Sequence, residues 1–489
     1  MFEILTAAEM KTTDAQTIES GTPGFTLMQA AGLAVAQKIM DSATPCPVLI
    51  LNGPGNNGGD GFVIAHTLKE KGWNVRVACT VKTPQLKGDA AKAAKQWDGP
   101  VEALNSNLAV KDAGLVVDAV FGTGFSGALP PETVTFFDKV RTKNLPVIAV
   151  DIPSGIDATA ATVAEGTLHA NASITFCRKK IAHTLQPTKD FCGAIHVAHI
   201  GIADETVAAL NTQLFENDPA LWLANFPLPA PNKHKYDRGH VGVLGGKQRT
   251  GAACLAAAAA QKAGAGVVTL AAPETAALVY QTYRASLMTD IWHDADSLKA
   301  IFRDPRKNTL VIGPGAGLDT QDAVEAALSF SKPAVIDGDV FTLYKDRPQD
   351  LFAHLSDKQV LTPHEGEFAR LFPGITGHKV DRAREAAVKS GSIILLKGAE
   401  TVIAAPDGTA IINTRAPATL ATAGSGDVLA GLIAGLIAQN MPPFMAAAAG
   451  VWLHAKSASI YGIGLTAEDI ISHTNQALKH LFSAPQENA

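Results

Sequence analysis

The chain of 489 residues has few cysteines and no pair of them spaced as C-x-x-C. An odd number of widely separated cysteines does not build a disulfide framework, and a zinc site needs closely spaced sulfur or imidazole ligands. The sequence therefore predicts a protein of a reducing compartment without a structural zinc site. The five cysteines are Cys46, Cys79, Cys177, Cys192 and Cys254.

Long apolar runs and blocks of one charge are also missing. The longest apolar run in the C-terminal part stops at Gln439 and Asn440, short of the roughly 20 residues that a membrane-spanning helix needs. The chain has 41 basic and 46 acidic residues, for a net charge of −5, and no basic block that would attract nucleic acid. Glu3 and Glu9 interrupt the start of the chain, so no signal peptide is predicted. We expect a cytoplasmic protein whose partners are small molecules, with no nucleic acid and no membrane among them.

Short β-branched runs alternate with longer helical patterns along the whole chain. This alternation predicts an α/β protein, in which parallel sheets are flanked by helices. In such sheets ligands bind beyond the carboxyl ends of the strands, so chemistry is expected in the residues that follow each strand. The predicted strands are residues 47–51, 75–79, 115–117 and 147–150 in the first half, and 241–244, 310–312, 334–336 and 393–396 in the second.

The length of the chain favours two large domains. A polar helical stretch that begins at Ala203 is followed by a proline-rich stretch from Phe226 to His234, and together they indicate a linker. We place the boundary near residue 220. No internal repeat is found, because the glycine turn comes early in the first half and late in the second. Two different α/β folds are therefore predicted.

The most informative segment of the second half is Gly424-Ser425-Gly426-Asp427, which precedes an apolar helical run. The two glycines allow successive N–H groups to converge on one anion at a helix N-terminus, as a phosphate-binding turn requires. A carboxylate beside a phosphate makes sense as the base for a substrate hydroxyl that accepts a phosphoryl group. Asp427 could instead be only the N-terminal cap of the helix, and the two roles can coexist.

A second glycine-rich loop, Gly53 to Gly58, follows the first long predicted strand and matches G-x-G-x-x-G between a strand and a helix. A nicotinamide dehydrogenase usually has an acidic residue at the end of the next strand, where it holds the ribose. Residues 73–80 contain none. Ordinary hydride transfer is therefore not predicted.

Polar residues follow three of the predicted strand ends in the first half: Asn57, Asp118 and Ser154. Because parallel strands end at the same edge of a sheet, we expect these side chains to lie close together. An amide, a carboxylate and a hydroxyl form an all-oxygen set, which suits an alkali or alkaline-earth cation better than zinc. Asn57 and Ser154 could instead only satisfy the backbone of their turns.

Three blocks, residues 53–65, 118–124 and 150–155, resemble the signature blocks of the NAD(P)H-hydrate epimerase (YjeF N-terminal) family. The resemblance covers roughly residues 5–210 and implies a Rossmann-like three-layer domain over residues 1–215. It implies that Asn57, Asp118 and Ser154 hold a potassium ion and that Asp151 acts at the reacting carbon of the substrate. The residues that it implies in binding of the hydrated dinucleotide are Asn56, Asn57, Gly58, Gly59, Asp60, Gly122, Thr123, Gly124, Phe125, Ser126, Gly127, Ala128 and Asp151.

A carboxylate suits the chemistry that this resemblance implies. A hydrated nicotinamide carries a hydroxyl on the carbon next to the ring nitrogen, and inversion there passes through a cation-like intermediate. Asp151 can stabilise the positive charge and can move a proton, and positioned proton transfer contributes about 10²- to 10⁴-fold. The sequence leaves open whether the reaction proceeds by ring opening or by loss of water.

From Asn232 onward, six ordered blocks resemble the ADP-dependent NAD(P)H-hydrate dehydratase (YjeF C-terminal) family. The resemblance implies a ribokinase-like α/β domain over residues 225–486, with ADP as co-substrate, and charge considerations lead us to expect Mg²⁺. His364 could instead be a capping or core histidine. The matching blocks are residues 250–254, 312–317, 335–339, 361–367, 395–398 and 423–427. The residues implied in nucleotide binding are Lys397, Gly398, Ala399, Glu400, Thr401 and Gly426, and those implied at the hydrate site are Ala253, Gly317, His364 and the catalytic Asp427.

Together the two resemblances predict an enzyme that is both an isomerase and a lyase. It would interconvert the R and S forms of NADHX and NADPHX and dehydrate the S form with ADP, giving AMP and phosphate. Two other classes compete with this interpretation. A small-molecule kinase fused to a Rossmann-type domain would share the glycine turn and Asp427, whereas a scaffold protein would have lost the polar residues, and this chain keeps Asn57, Asp118 and Asp151. We also expect a homo-oligomer.

Overall fold

A computed structural model describes residues 2–110 and 112–483 of the chain. The chain divides into two compact units, Met1–Leu214 and Phe215–Ala489. The boundary predicted near residue 220 lies inside the second unit, where Trp222 is fully buried in the core. The end predicted for the second domain, residue 486, lies outside the described residues. Within the described ranges, none of the helices has the length and apolar character needed to cross a bilayer.

The first unit is built on a seven-stranded parallel sheet with helices around it. Its strands are β1 (Ile4–Leu5), β2 (Val48–Asn52), β3 (Val75–Cys79), β4 (Val101–Ala103), β5 (Leu115–Ala119), β6 (Val147–Val150), β7 (Ile156–Asp157), β8 (Thr162–Val163), β9 (Ala172–Phe176), β10 (Lys179–Lys180) and β11 (Ala194–Ala198). Its helices are α1 (Ala7–Glu19), α2 (Gly24–Ser42), α3 (Asn56–Glu70), α4 (Gly88–Gln96), α5 (Pro131–Thr142), α6 (Thr188–Cys192) and α7 (Asp204–Ala208).

The order of strands in this sheet is β11-β9-β6-β5-β2-β3-β4, and every pair is parallel. The chain runs outward from β2 to β4 and then returns to β5 on the other side of β2. The two loops that follow β2 and β5 therefore leave the sheet in opposite directions and open a crevice between them, which is the usual ligand position in such sheets. Two short pairs, β1 with β10 and β7 with β8, lie outside the main sheet.

The second unit contains a ten-stranded sheet and a bundle of apolar helices. Its strands are β12 (Leu214–Glu216), β13 (His240–Leu244), β14 (Val267–Pro273), β15 (Met288–Trp292), β16 (Thr309–Ile312), β17 (Ala334–Ile336), β18 (Gln359–Leu361), β19 (Ile393–Leu396), β20 (Thr401–Ala404) and β21 (Ala410–Asn413). Its helices are α8 (Thr250–Lys262), α9 (Ala277–Tyr283), α10 (Ala295–Arg303), α11 (Gln321–Leu328), α12 (Asp339–Leu343), α13 (Pro348–Phe352), α14 (Glu365–Leu371), α15 (Lys379–Ser390), α16 (Ser425–Ala438), α17 (Pro443–Tyr461) and α18 (Ala467–Ser483).

This second sheet has the order β12-β21-β20-β19-β18-β17-β16-β13-β14-β15. The strands from β19 to β15 run parallel, whereas β20 and β21 form antiparallel pairs at the other end. The chain reverses direction between β13 and β16, so the crevice of this sheet lies beyond Leu244 and Ile312.

Helix α16 is apolar all round and buried, because α8 and α17 cover it. A Cβ atom at Gly431 would lie 2.1 Å from the carbonyl oxygen of Ala256, and one at Gly435 would lie 2.4 Å from that of Ala260. The small residues therefore permit close contact between two backbones. The alanine-rich run from Ala252 to Ala260 is compatible, from its sequence, with packing between subunits or within the chain. Residues Ala256 to Ala260 are fully buried, so they pack within the chain.

Candidate functional site

In the first unit the loops after β2 and β5 touch each other at the crevice. A Cβ atom at Gly53 would lie 1.8 Å from the carbonyl oxygen of Val120, and one at Gly58 would lie 2.0 Å from that of Gly53. The first and third glycines of the G-x-G-x-x-G loop, Gly53 and Gly58, are thus required for backbone contact between the two loops and with the start of α3, whereas nothing lies within 4 Å of a Cβ at Gly55. Helix α3 begins at Asn56 with Gly55 as its cap residue, so its first N–H groups point to the crevice.

Asp118 and Ser154 form a buried pair below this crevice. The Ser154 hydroxyl donates to Asp118 Oδ1 at 2.5 Å, and the Ser154 backbone N–H donates to Asp118 Oδ2 at 2.8 Å. The Phe121 N–H donates to the Ser154 oxygen at 2.8 Å, which ties the loop after β5 to the same pair. Burial raises the pKa of Asp118, since these hydrogen bonds only partly replace water around the carboxylate.

Asn57 lies beside this pair, at the start of α3. A Cβ atom at Gly122 would lie 3.1 Å from Asn57 Oδ1, so the amide faces the loop after β5. Asn57 Nδ2 is buried without a hydrogen-bond partner among the described residues. The Nδ2 atom is a donor and does not bind a cation, but Asn57 Oδ1 and the oxygens of Asp118 and Ser154 are ligands of the kind that a potassium ion takes.

Asp151 follows β6 and has a left-handed backbone, with φ of 64°, which is uncommon for a residue with a side chain. Its Oδ1 atom accepts hydrogen bonds from Lys180 Nζ at 2.9 Å and from the Thr175 hydroxyl at 2.7 Å. The His183 ring lies 3.0 Å from the Asp151 carbonyl oxygen. Lys180 is fully buried and also donates to the carbonyl oxygen of Phe176. This network fixes the carboxylate in one orientation.

The network also sets the charge of Asp151. Burial is the largest influence and by itself would raise the pKa of this carboxyl, but the charges of Lys180 and His183 and the hydrogen bonds from Lys180 and Thr175 together lower the pKa below its ordinary value. Asp151 is therefore a carboxylate at neutral pH. Asp60 on α3 is in the opposite situation: burial and the charge of Asp151 raise its pKa well above the ordinary value, so that it is neutral.

A cavity of about 680 Å³ opens above these residues. Some of the predicted residues do not line this cavity. Gly58 and Gly59 are buried by packing, and Asp118 and Ser154 are buried outside the lining. Three further residues are exposed and lie outside the lining: Ser126, Gly127 and Ala128. Lys180 and Asp14 also line the cavity, and neither was among the residues predicted from the sequence. The predicted residues that line it are Asn56, Asn57, Asp60, Gly122, Thr123, Gly124, Phe125 and Asp151.

In the second unit, Gly424 caps α16 in a left-handed conformation, with φ of 83°. Asp427 is the third residue of the helix and its side chain does not cap it, so capping is not the role of Asp427. His454 on α17 is buried, and its Nε2 atom lies 3.0 Å from the carbonyl oxygen of Ser425 and 3.1 Å from its hydroxyl. Burial lowers the pKa of His454 to about 4, so a neutral imidazole holds the turn in place.

Asp427 belongs to a group of carboxylates around Lys397. Lys397 Nζ lies 2.9 Å from Asp337 Oδ1 and 4.0 Å from Glu367 Oε2, and a Cβ atom at Gly426 would lie 3.3 Å from the same nitrogen. Burial, followed by the charge of Asp337, raises the pKa of Asp427 to about 7, although Lys397 acts in the opposite direction. The pKa is thus well above the ordinary value of an aspartate, because burial and the neighbouring carboxylates disfavour a further negative charge.

Strand ends position the remaining predicted residues of this crevice. Gly317, in the loop after β16, has φ of 88°, and its N–H donates to Asp339 Oδ2 at 2.9 Å. His364 is the capping residue of α14: its Nδ1 atom accepts from the N–H groups of Gly366 at 3.0 Å and Glu367 at 3.3 Å. His364 thus caps the helix, as one of the alternatives from the sequence proposed, and its Nε2 atom lies 3.5 Å from Glu367 Oε1.

The four residues that follow Lys397 divide into an exposed pair and a buried pair. Gly398 and Ala399 are exposed, whereas Glu400 and Thr401 are buried, with Lys379 Nζ donating to the Glu400 carbonyl oxygen at 2.7 Å. Ala253 is fully buried on α8. Glu367 is a member of the carboxylate group that the sequence did not single out, since a glutamate two residues into a short helix is common.

Comparison with known proteins agrees with this division into two sites. The family described as YjeF-related protein N-terminus matches residues 24–182, and the family described as NAD(P)H-hydrate dehydratase matches residues 241–475. A dehydratase structure from Bacillus subtilis, an ADP/ATP-dependent NAD(P)H-hydrate dehydratase co-crystallised with ATP and Mg²⁺, is 25% identical with a TM-score of 0.45, covering 53% of this chain and 95% of that one.

Two similar proteins extend over nearly the whole chain. A bifunctional NAD(P)H-hydrate repair enzyme of Moorella thermoacetica is 36% identical, covering 92% of this chain and 91% of the relative. One from Escherichia coli is 32% identical, covering 92% of this chain and 88% of the relative. The seven-stranded unit is the Rossmann-like domain and the ten-stranded unit the ribokinase-like domain that the sequence predicted. The chain belongs to the family of bifunctional NAD(P)H-hydrate repair enzymes.

Proposed function

We propose that the chain repairs hydrated nicotinamide coenzymes through two separate reactions. The first unit, predicted over residues 1–215, interconverts the R and S forms of NADHX and NADPHX. The second, predicted over residues 225–486, dehydrates the S form with ADP and gives AMP and phosphate. The observation that carries the proposal is the position of Asp427, a half-buried carboxyl in the first turn of α16 beside Lys397 and the glycine turn.

In the first site, Asp151 is the catalytic residue. Because Lys180 keeps it ionised, the carboxylate can stabilise positive charge that develops on the nicotinamide ring. The left-handed backbone at Asp151 and the two groups that donate to its side chain, Lys180 and Thr175, orient it before substrate arrives. The hydrated dinucleotide is expected in the cavity, in contact with the loop residues from Asn56 to Asp60 and from Gly122 to Ala128.

We assign a potassium ion to Asn57, Asp118 and Ser154. When bound, it would offset the buried charge of Asp118 and supply a positive potential at the phosphate side of the crevice. Hydrogen bonds within the chain hold these ligands in position, because the Ser154 hydroxyl group links Asp118 to the backbone of Phe121. These contacts hold the loop after β5 against the turn after β6.

In the second site, Asp427 accepts the proton of the substrate hydroxyl as phosphoryl transfer proceeds. The hydroxyl oxygen bonds to the terminal phosphorus of ADP, the bond from that phosphorus to the bridging oxygen breaks, and AMP leaves. Phosphate then departs from the ring carbon, pushed by the lone pair of the ring nitrogen, and a proton is lost from the neighbouring ring carbon. A base with a pKa of about 7 suits this task near neutral pH.

The nucleotide is assigned to Lys397, Gly398, Ala399, Glu400, Thr401 and Gly426. Lys397 and the N–H groups of the glycine turn provide positive charge for its phosphates. Among the described residues no group of three or more histidines, cysteines or carboxylates is arranged to hold a metal alone, so Mg²⁺ would be carried by the nucleotide phosphates with one or two carboxylates such as Asp337. Magnesium bound there would neutralise phosphate charge in the transition state.

The hydrate in this site is assigned to Ala253, Gly317, His364 and Asp427. Ala253 is fully buried on α8 and would shape the site from behind its wall, and Gly317 presents backbone that its contact with Asp339 holds in place. His364 can cap α14 through one nitrogen and offer the other to substrate. The choice of ADP over ATP and the association into a homo-oligomer stay predictions.

A coupled absorbance assay tests the proposed function. The purified chain, ADP, Mg²⁺, K⁺ and a mixture of R and S NADHX should restore the absorbance of NADH to the full amount of hydrate present. Chromatography of the products separates this proposal from a kinase. Accumulation of a stable phosphorylated compound without NADH would mean that the second unit is a kinase, and absence of both would contradict the proposal.

A further inference from the structure

Asp14 is a carboxyl group in the epimerase cavity to which no role has been given above. It lies on α1 and lines the same cavity as Asp151 and Lys180. Its side chain is half-buried, and within residues 2–110 and 112–483 it makes no hydrogen bond and no salt bridge. A carboxyl that is partly removed from water without a partner costs folding free energy. Such a cost is most readily explained by a function in the cavity.

The position of Asp14 is fixed by the first residues of the chain. Strand β1 pairs in parallel with β10, so that Ile4 lies opposite Lys179 and Leu5 opposite Lys180. Helix α1 then begins with a capping box, in which Thr6 and Glu9 each bind the backbone N–H of the other. The helix therefore starts directly beside the lysine that holds Asp151.

The charges around the two carboxyls separate their protonation states. Burial raises the pKa of Asp14 to about 6. The positive charge of Lys180 lowers this pKa in part, and the negative charge of Asp151 raises it further. The pKa of Asp151 is instead lowered below its ordinary value. A carboxylate next to a carboxyl that is protonated in part near neutral pH is the usual arrangement of an acid–base pair.

The other charged groups of the cavity wall are Lys11 on the same helix, Asp60 on α3 and Asp89 on α4. Asp89 pairs with Lys92, and Asp60 is buried and neutral. Asp14 is thus the cavity carboxyl that is both accessible and able to change its protonation near pH 6.

We infer that Asp14 is a second catalytic residue of epimerisation, which exchanges a proton with the hydroxyl oxygen on the reacting carbon. The inference rests on the proposed function of the first unit. It also selects loss and return of water over ring opening.

The step balances without a further reactant. The carbon–oxygen bond breaks with its electron pair remaining on oxygen, which takes the proton of Asp14 and leaves as water, while the ring nitrogen lone pair forms a carbon–nitrogen double bond. Asp151 stabilises the resulting cation. Water then adds to the opposite face of the ring carbon, forms the new carbon–oxygen bond and returns a proton to Asp14.

The test compares Asp14→Asn, Asp14→Glu and the control Glu19→Gln, an exposed carboxyl-to-amide change on the same helix. Without ADP, interconversion of R and S NADHX is followed by chiral chromatography. We expect Asp14→Asn to lower kcat at least about 100-fold with KM within about threefold of the unmodified chain, whereas the control stays unchanged. Asp14→Glu should recover part of kcat.

The pH profile supplies a readout that a structural role would not move. Because Asp14 acts as the acid, kcat/KM of the unmodified chain should fall as pH rises above about 6, and this limb should be missing in Asp14→Asn. Full epimerase activity of Asp14→Asn, or a pH profile equal to that of the unmodified chain, would overturn the inference. The proposed function is tested separately, by the epimerase activity of the unmodified chain. Loss of folding in both Asp14 variants, seen as a lower Tm, would assign Asp14 a structural role and also overturn it.

Discussion

At the scale of single residues, the pKa values of Asp427 and Asp151 depart from the ordinary value in opposite directions, although burial favours the neutral form of both. For Asp427, burial and the neighbouring carboxylates raise the pKa to about 7, whereas for Asp151 the charge of Lys180 and the surrounding hydrogen bonds outweigh burial and lower the pKa. The first is suited to take up a proton near neutral pH and the second to remain charged. The two sites thus use the same side chain for different tasks.

Replacing Asp427 with Asn should remove the base of the second site. We expect dehydration to fall by about 10²- to 10⁴-fold, measured as restored NADH absorbance with S NADHX and ADP. In the unmodified chain, kcat/KM should decline as pH falls through about 7, where Asp427 becomes protonated. An exposed carboxyl of the same unit, Asp407, changed to Asn serves as control. Dehydration at the unmodified rate in Asp427→Asn would contradict the assigned role.

The same variant should be more stable than the unmodified chain at neutral pH. Since the pKa of Asp427 is higher in the folded state, folding binds a proton between the unfolded value of 3.8 and about 7, and stability is lost as pH rises through that window. Asn carries no such charge. The difference in free energy of unfolding should be near zero at pH 3.5 and reach on the order of 2–4 kcal/mol above pH 7. Denaturant titrations at several pH values measure it, and a difference independent of pH would disprove the stated cause.

Lys180 and Asp151 form a buried pair, so removal of one partner should cost more than removal of both. Lys180→Met should lower the free energy of unfolding of the first unit by about 3–5 kcal/mol, because Asp151 is left charged and unpaired. Asp151→Asn is a suitable second change, since Asn tolerates the left-handed backbone there. The double variant should lose less than the sum of the two. Lys143→Met, at an exposed lysine, is the control, and additive losses would show that the pair is not coupled.

At the scale of elements, α8 and α16 depend on glycine for their contact. Gly431→Ala would place a Cβ atom 2.1 Å from the Ala256 carbonyl oxygen, so the helices must separate, at an expected cost of about 1–3 kcal/mol. Gly251→Ala on α8 is the matched control, because nothing lies within 4 Å of its Cβ position, and it should be neutral or slightly stabilising. Thermal melting of the two variants measures the difference. Equal Tm values would show that the helices do not need this contact.

Four strands have the bounds that the sequence predicts: Val75–Cys79, Val147–Val150, Ala334–Ile336 and Ile393–Leu396. β-branched residues between turn signals mark these strands. Burial alone was not a sufficient signal, because the fully buried β14 and β18 were not predicted. The sequence did not single out β15 or the antiparallel β20 and β21. Their pairing depends on neighbours far along the chain, which local composition does not encode.

The sites were predicted in part for the same reason. Glycine turns and the residues after strands were visible, and so were Asp118, Asp151 and Asp427. Lys180 was not, since a lysine in a Lys-Lys pair after a strand is ordinarily on the surface, and only the fold shows that it is fully buried. Altered pKa values likewise arise from distances between separate elements and cannot be obtained from spacing.

At the scale of the whole molecule, the two activities should be separable. A chain with Asp151→Asn should convert only the S fraction of a freshly prepared R and S mixture to NADH during a short assay, and a chain with Asp427→Asn should produce no NADH. Mixing the two variants should restore conversion of the full mixture, because the S form made by one is free to reach the other. The unmodified chain at the same total concentration is the reference. Failure of the mixture while each single activity persists would mean that the product of one site does not reach the other through solution.

The pairing of β1 with β10 makes the first few residues part of the epimerase cavity. Deletion of residues 1–5 would remove β1 and with it the anchor of α1, while the seven-stranded sheet and the ten-stranded sheet keep all their strands. A chain shortened in this way should lose epimerisation and retain dehydration.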